Sequence, residues 1–98
     1  MSCDVPRRPV VRRQLEITNE LGLHLRAAAR WVQTAQDFDV DLVVSKDGQQ
    51  VNGKSVIDLL LLALTLGSQI EVVASGPDAV AALDALETLL ERKFYEGQ

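Results

Sequence analysis

Three segments of the chain alternate between apolar and polar residues, with the period of two that a half-buried β-strand shows. Asp47-Gly48 follows the second of these segments, and this dipeptide is typical of a tight hairpin turn. The pattern therefore predicts a further short strand from Gln50 to Gly53. The apolar positions of the three alternating segments are Leu15 and Ile17; Val40, Leu42 and Val44; and Ile70, Val72 and Ala74.

Elsewhere the apolar residues recur at intervals of three and four, which is the period of one buried helix face. This spacing predicts a first helix over residues 25–37. Ser55 and Asp58 are spaced as in a capping box, and a second helix is expected over residues 56–64. Gly76-Pro77-Asp78 is expected to open the third helix, because a proline is tolerated in a first turn. The buried faces predicted for the first and third helices are Leu25, Ala28, Val32 and Ala35; and Ala79, Leu83, Leu86 and Leu90.

The predicted order of elements is strand, helix, strand, strand, helix, strand, helix (βαββαβα). A chain of this order is expected to form an α+β, open-faced β-sandwich, in which a four-stranded antiparallel sheet carries three helices on one face. Pro6 and Pro9 interrupt any regular element near the start. We therefore expect a flexible N-terminal extension over residues 1–13, one domain over 14–94 and a short tail over 95–98.

Composition and charge narrow the classes of function. The 98 residues include 47% hydrophobic and 24% charged residues, which is typical of one globular domain. The formal net charge of −4 argues against nucleic acid or an anionic membrane as the main partner. The start of the chain lacks the apolar segment of a signal peptide, and the single Cys3 cannot form an internal disulfide. These features favour a cytoplasmic protein, and one histidine with one cysteine offers no metal site.

His24, the only histidine of the chain, stands where a glycine-containing loop meets the first helix. Imidazole is a good nucleophile near neutral pH. The first turn of a helix supplies unpaired backbone N–H groups and a positive dipole end, which together favour a phosphate. Arg26 adds a guanidinium that can grip phosphate oxygens. Taken alone, however, a histidine in this position is more often a cap or a surface residue.

Two motifs resemble those of the HPr family of phosphocarriers. Gly22-Leu23-His24-x-Arg26 is similar to the active-site motif of that family, and Asn52-Gly53-Lys54-Ser55-Val56-Ile57 is similar to the motif around its regulatory serine. The separation between His24 and Ser55 also fits the family. The resemblance covers residues 14–90, so the domain over 14–94 is expected to be HPr-like. Other details, such as Glu16-Ile17-Thr18-Asn19, look like the nitrogen-related branch, whereas Lys54-Ser55 is closer to sugar-transport members.

The resemblance implies a role for particular residues. His24 would accept a phosphoryl group from an enzyme I-type protein and pass it to an EIIA-type protein, with Arg26 holding the phosphate. Ser55, besides being an N-cap, would be a regulatory site for an HPr kinase/phosphorylase. The protein would be a monomeric, stoichiometric carrier without a cofactor rather than a free-standing enzyme. The residues implied to dock partners are Val56, Ile57 and Leu60, whereas Leu59 and Leu62 are expected in the core.

Two departures from the family pattern support an alternative interpretation. Leu25 stands where the family usually has a small residue, and Ala27 stands where it usually has proline. Proline stiffens the first turn of a helix, so its loss is expected to loosen the loop around His24. Under the alternative, the chain is a regulatory protein-binding module with weak or no phosphotransfer, switched by phosphorylation of Ser55.

Overall fold

The computed structural model describes residues 9–93, and these fold in the predicted order. Residues 1–8 of the predicted N-terminal extension and the tail over 95–98 lie outside the described residues. The elements are β1 (Val10–Glu16), α1 (Leu25–Gln36), β2 (Asp41–Lys46), β3 (Gln49–Asn52), α2 (Val56–Leu61), β4 (Gln69–Ser75) and α3 (Ala79–Glu91).

The four strands form one antiparallel sheet in the order β1-β4-β2-β3. Strand alternation turns one face of this sheet toward the helices, as in the facing pairs Leu15 with Ile70 and Val44 with Val72. The opposite face carries mostly polar residues. The predicted α+β, open-faced β-sandwich is therefore confirmed.

The hairpin between β2 and β3 turns at Asp47 and Gly48, as the dipeptide predicted. Both residues have positive φ angles, 52° and 85° respectively. Positive φ at both central positions is the requirement of a type I′ turn, whose twist matches that of the flanking strands.

The helices cover the inner face of the sheet and form one core with it. The predicted stripe of α3 is fully included, and Ala28, Val32 and Ala35 of α1 are buried as expected. Leu25 is the exception, because its side chain is 65% exposed. It occupies the first position of α1, and the interior face of this helix begins with Ala27. Trp31 also belongs to this face, since it is only 1% exposed.

Strand β1 begins earlier than predicted, so the boundary between extension and domain at residue 13 is wrong. Val10 to Arg13 pair with β4 in continuous register. The alternation was hidden because Arg13 faces the helices, where its guanidinium donates to Asp84 at 2.8 Å and to Glu87 at 2.9 Å. The hydrogen bond to Asp84 raises the pKa of Arg13 above its ordinary value.

Helix α2 is shorter than predicted, since it ends at Leu61 rather than at Leu64. Leu62 and Leu64 are both buried, at 5% and 4% exposure. Both side chains reach the core because the backbone turns after the helix ends, and Ala63 between them adopts a left-handed φ of 51°. The turn also brings the Leu64 carbonyl to the loop that precedes α1. Among residues 9–93, none of the helices combines the length and the apolar character that a membrane span requires.

Candidate functional site

The loop that leads to His24 is held in place by contacts with the backbone of Leu64. Gly22 has a left-handed φ of 68°, and a Cβ at this position would lie 2.5 Å from the Leu64 carbonyl oxygen. The neighbouring Leu23 is buried, and its N–H donates to that same oxygen at 3.0 Å. Asn19 Nδ2 donates to the Gly22 carbonyl at 2.7 Å. The glycine therefore allows two backbone segments to approach each other directly beside His24.

His24 is the N-cap of α1, and its imidazole closes the start of the helix. Its Nδ1 accepts hydrogen bonds from the N–H groups of Arg26 at 3.2 Å and Ala27 at 3.5 Å. Its own carbonyl accepts from Ala28 at 2.8 Å, the first backbone bond of the helix. An Nδ1 that accepts these bonds presents a lone pair and carries no proton. The nucleophilic nitrogen thus lies at the positive end of the helix dipole.

The surface around His24 is a shallow depression that combines apolar side chains with one cation. It is lined by Leu21, His24, Leu25, Arg26 and Ala29. Leu21 and Leu25 are 70% and 65% exposed, so they form adjacent apolar surface beside His24. The Arg26 side chain is exposed and makes no ion pair with any residue in the range 9–93. The depression therefore places an exposed guanidinium beside the imidazole, and its five lining residues include no carboxylate.

Ser55 caps α2, as the capping-box pattern predicted. Its Oγ accepts from the Asp58 N–H at 3.2 Å, and its side chain is half-buried. The turn before it is anchored to α1, because Trp31 Nε1 donates to the Gly53 carbonyl at 3.0 Å. The helix that carries His24 and the turn that carries Ser55 are thus joined by a buried hydrogen bond. The sequence did not predict this link, since the position of Trp31 gave no sign of a specific acceptor.

Helix α2 presents apolar side chains on its outer side. Ile57 is 71% exposed and Leu60 36% exposed, whereas Leu59 is buried as expected. Val56 is half-buried and packs against the core, so it offers less surface than predicted. Leu61, which the sequence analysis did not single out, is 63% exposed. In a run of consecutive leucines the sequence does not reveal the phase of the helix, and only the structure separates inner from outer positions.

Among residues 9–93 there is no group of three His, Cys, Asp or Glu side chains arranged to hold a metal ion. His24 Nδ1, the first-turn amides and the Arg26 guanidinium lie together at the start of α1, and an arrangement of this kind can bind a small anion.

A sequence profile of the PTS-HPr family, described as the PTS HPr component phosphorylation site, matches residues 11–92. The chain belongs to the HPr family. The match takes in both the His24 loop and the Ser55 turn, so the resemblance inferred from short motifs extends over the whole described fold.

Relatives of known name and structure agree with this membership. The phosphocarrier protein HPr of Neisseria meningitidis serogroup A is 39% identical over 91% of this chain and 100% of its own length. The phosphocarrier protein NPr of Shewanella violacea is 39% identical over 87% of this chain and 93% of its own. The crystal structure of HPr-C-His from Thermoanaerobacter tengcongensis superposes with a TM-score of 0.84 at 39% identity, covering 90% and 99% of the two chains.

Proposed function

We propose that this HPr-family chain is a phosphoryl carrier of a phosphoenolpyruvate-dependent phosphotransferase system, and that His24 is its phosphoryl acceptor. The observation that carries the proposal is the placement of His24 Nδ1 within hydrogen-bond distance of two first-turn amides of α1, beside the exposed guanidinium of Arg26. This arrangement combines a nucleophile with donors for the anion that it would carry.

The proposed transfer makes use of this geometry. The lone pair of Nδ1 attacks the phosphorus of a phosphohistidine on an enzyme I-type partner. The partner's phosphohistidine, protonated on its other ring nitrogen, leaves as a neutral imidazole when its N–P bond breaks. His24 keeps its Nε2 proton as the new N–P bond forms on Nδ1, so no net proton is exchanged. The next step passes the phosphoryl group from His24 to an EIIA-type partner by the same exchange of N–P bonds. Positioning and stabilisation of charge supply most of the catalysis in such transfers.

Arg26 and the backbone amides would hold the transferred group without enclosing it. The guanidinium can pair with two phosphoryl oxygens, and the amides point at the same region from the helix side. His24 is only half-buried, so one side of the imidazole remains open to a partner. A carrier needs this open side, because the next nucleophile must approach in line with the N–P bond.

Partner docking is proposed to use the exposed apolar side chains around these groups. Ile57 and Leu60 of α2 remain candidates, Val56 contributes less, and the depression adds Leu25. Phosphorylation of Ser55 by an HPr kinase/phosphorylase would place a dianion at the N-terminus of this apolar helix. Such a charge changes the electrostatics of the docking surface, which is the basis of the proposed regulation.

The test is an assay of phosphate incorporation. Wild-type protein is incubated with phosphoenolpyruvate and enzyme I from the same organism, and an acid-labile label is sought by intact mass and phosphorus NMR. His24→Ala should abolish the label, whereas Ser55→Ala should leave it. Arg26→Ala should retain the fold, because the side chain is exposed, but slow the transfer by about 10-fold or more, as expected for loss of a charge-assisted contact. A wild-type chain that stays unlabelled beside an active family member would refute the proposal.

A further inference from the structure

The backbone N–H of Ala27 has no acceptor in the helix and is directed at the reacting atom. In an α-helix the first amides lack intrahelical partners. In α1 the amide of Ala28 is used by the His24 carbonyl at 2.8 Å, whereas that of Ala27 donates to His24 Nδ1 at 3.5 Å. Arg26 donates to the same nitrogen at the shorter distance of 3.2 Å. The imidazole therefore receives two amides, and the longer contact is the weaker one.

Phosphorylation would release both amides from Nδ1. The nitrogen uses its lone pair for the N–P bond and can no longer accept. Three anionic oxygens then stand next to the position that the lone pair occupied. The amides must find these oxygens as acceptors, or remain unpaired at the base of the site, which is costly. A hydrogen bond to an anionic oxygen is shorter and stronger than one to a neutral nitrogen.

The position of the Ala27 amide is fixed by packing. The Ala27 side chain is 0% exposed and forms part of the core beneath α1. By contrast, the Arg26 side chain is exposed and must lose rotamer freedom to hold an anion. A backbone donor anchored by a buried methyl group is already ordered before the phosphoryl group arrives. It is also a donor that a proline at this position would lack.

We infer that the Ala27 amide is a phosphoryl-binding donor of this site, which strengthens the hold of His24 on its phosphate. The inference rests on the proposed function. Alanine in place of the family's usual proline then has a second effect at position 27. It allows the helix to start, and it also supplies a backbone donor that proline lacks. The expected consequence is a phosphohistidine of lower transfer potential than the same site would have without this amide.

The test compares wild type with Ala27→Pro, which lacks the N–H, and with the matched control Ala27→Gly, which keeps it. Equal amounts of wild type and one variant are mixed with catalytic enzyme I and a limiting amount of phosphoenolpyruvate. The phosphoryl group then partitions between the two chains, and intact mass at neutral pH reads both occupancies. We expect wild type to be favoured over Ala27→Pro by about 5–10-fold, the gain from exchanging a neutral for an anionic acceptor. Ala27→Gly keeps the N–H but loses the buried methyl group that orders it, so its share of the label should lie between those of Ala27→Pro and wild type.

Equal partition between wild type and a folded Ala27→Pro would overturn the inference, while leaving the carrier role intact. A chain in which His24 takes no label would instead refute the carrier role itself. The wild-type protein offers a second measurement that does not depend on the folding of a variant. On phosphorylation, the amide proton resonances of Arg26 and Ala27 should move strongly downfield, whereas that of Ala28, bonded to the His24 carbonyl, should move little. An unmoved Ala27 resonance would contradict the inference.

Discussion

Replacement of Gly22 by alanine should destabilise the protein far more than the same replacement at an open turn. The added Cβ would meet the Leu64 carbonyl oxygen at 2.5 Å and the Cα of Thr65 at 2.9 Å. Both are backbone atoms, so no side-chain rotation relieves the overlap. The Leu64 carbonyl also accepts the N–H of Leu23, so a displacement weakens the bond that holds the loop before His24.

The magnitude can be separated into two contributions. A left-handed φ costs an L-residue about 1–2 kcal/mol, and the loss of unfolded-state entropy returns roughly 0.4–1 kcal/mol. Gly48 has a φ of 85°, and nothing lies within 4 Å of the place that an added Cβ would take, so Gly48→Ala should cost only the balance of these terms, about 1 kcal/mol. Overpacking against backbone adds roughly 1–3 kcal/mol at Gly22, which brings Gly22→Ala to about 3 kcal/mol.

Urea unfolding followed by circular dichroism measures both variants under one condition. A difference of about 2 kcal/mol between Gly22→Ala and Gly48→Ala is the expected result. Equal destabilisation by Gly22→Ala and Gly48→Ala would show that the backbone around Leu64 moves away from an added Cβ at little cost. The argument that Gly22 fixes the His24 loop would then fail. Phosphate incorporation into the folded fraction of Gly22→Ala should also be slower than into Gly48→Ala, since only the first change displaces His24, the proposed acceptor.

Contacts elsewhere in the described fold lead to three further predictions. Trp31→Phe leaves the Gly53 carbonyl without its donor, so it should lower the free energy of unfolding by about 1–3 kcal/mol in urea titrations followed by circular dichroism. An unchanged urea midpoint would contradict the hydrogen-bonded link between α1 and the Ser55 turn. Arg13→Gln should lower the free energy of unfolding by about 1 kcal/mol in the same titration, because it loses two carboxylate contacts on α3. The Arg12 side chain is 67% exposed, so Arg12→Gln should lower it by less than about 0.5 kcal/mol. Equal losses in the two variants would argue against the contacts of Arg13 with α3. Leu25→Ala should leave stability nearly unchanged but raise the KM for an enzyme I-type partner by roughly 5–30-fold in steady-state transfer; an unchanged KM would exclude Leu25 from the docking surface.

Much of the fold was predictable because local signals and tertiary burial agree. The alternation around Val44 and Val72, the Asp47-Gly48 turn and the stripe of α3 each predicted what the structure has. The start of β1 was missed because an arginine at position 13 faces inward with its charge satisfied by α3. A binary pattern counts such a residue as polar and therefore ends the strand too early.

The candidate site was predictable in its residues but not in its contacts. The spacing of His24, Arg26 and Ser55 is visible in the sequence, and the structure places the first two at the start of α1 and the third at the start of α2. The bond from Trp31 to Gly53 and the exposure of Leu25 depend on the phase of α1 and on where the turn before α2 lies against it. These are tertiary relations, and no local pattern encodes them.

The two departures from the family pattern have different consequences in the structure. The alternative of a regulatory module with weak phosphotransfer assumes that Ala27 loosens the loop before α1. The loop is instead held by other means, namely the Gly22 approach and the bond from Leu23 to Leu64, and neither depends on the residue at position 27. Leu25 is the departure that alters the surface, since it adds an exposed apolar side chain beside His24. We therefore expect this sequence to alter partner preference rather than to lose phosphotransfer, and the comparison of Ala27→Pro with Leu25→Ala separates the two effects.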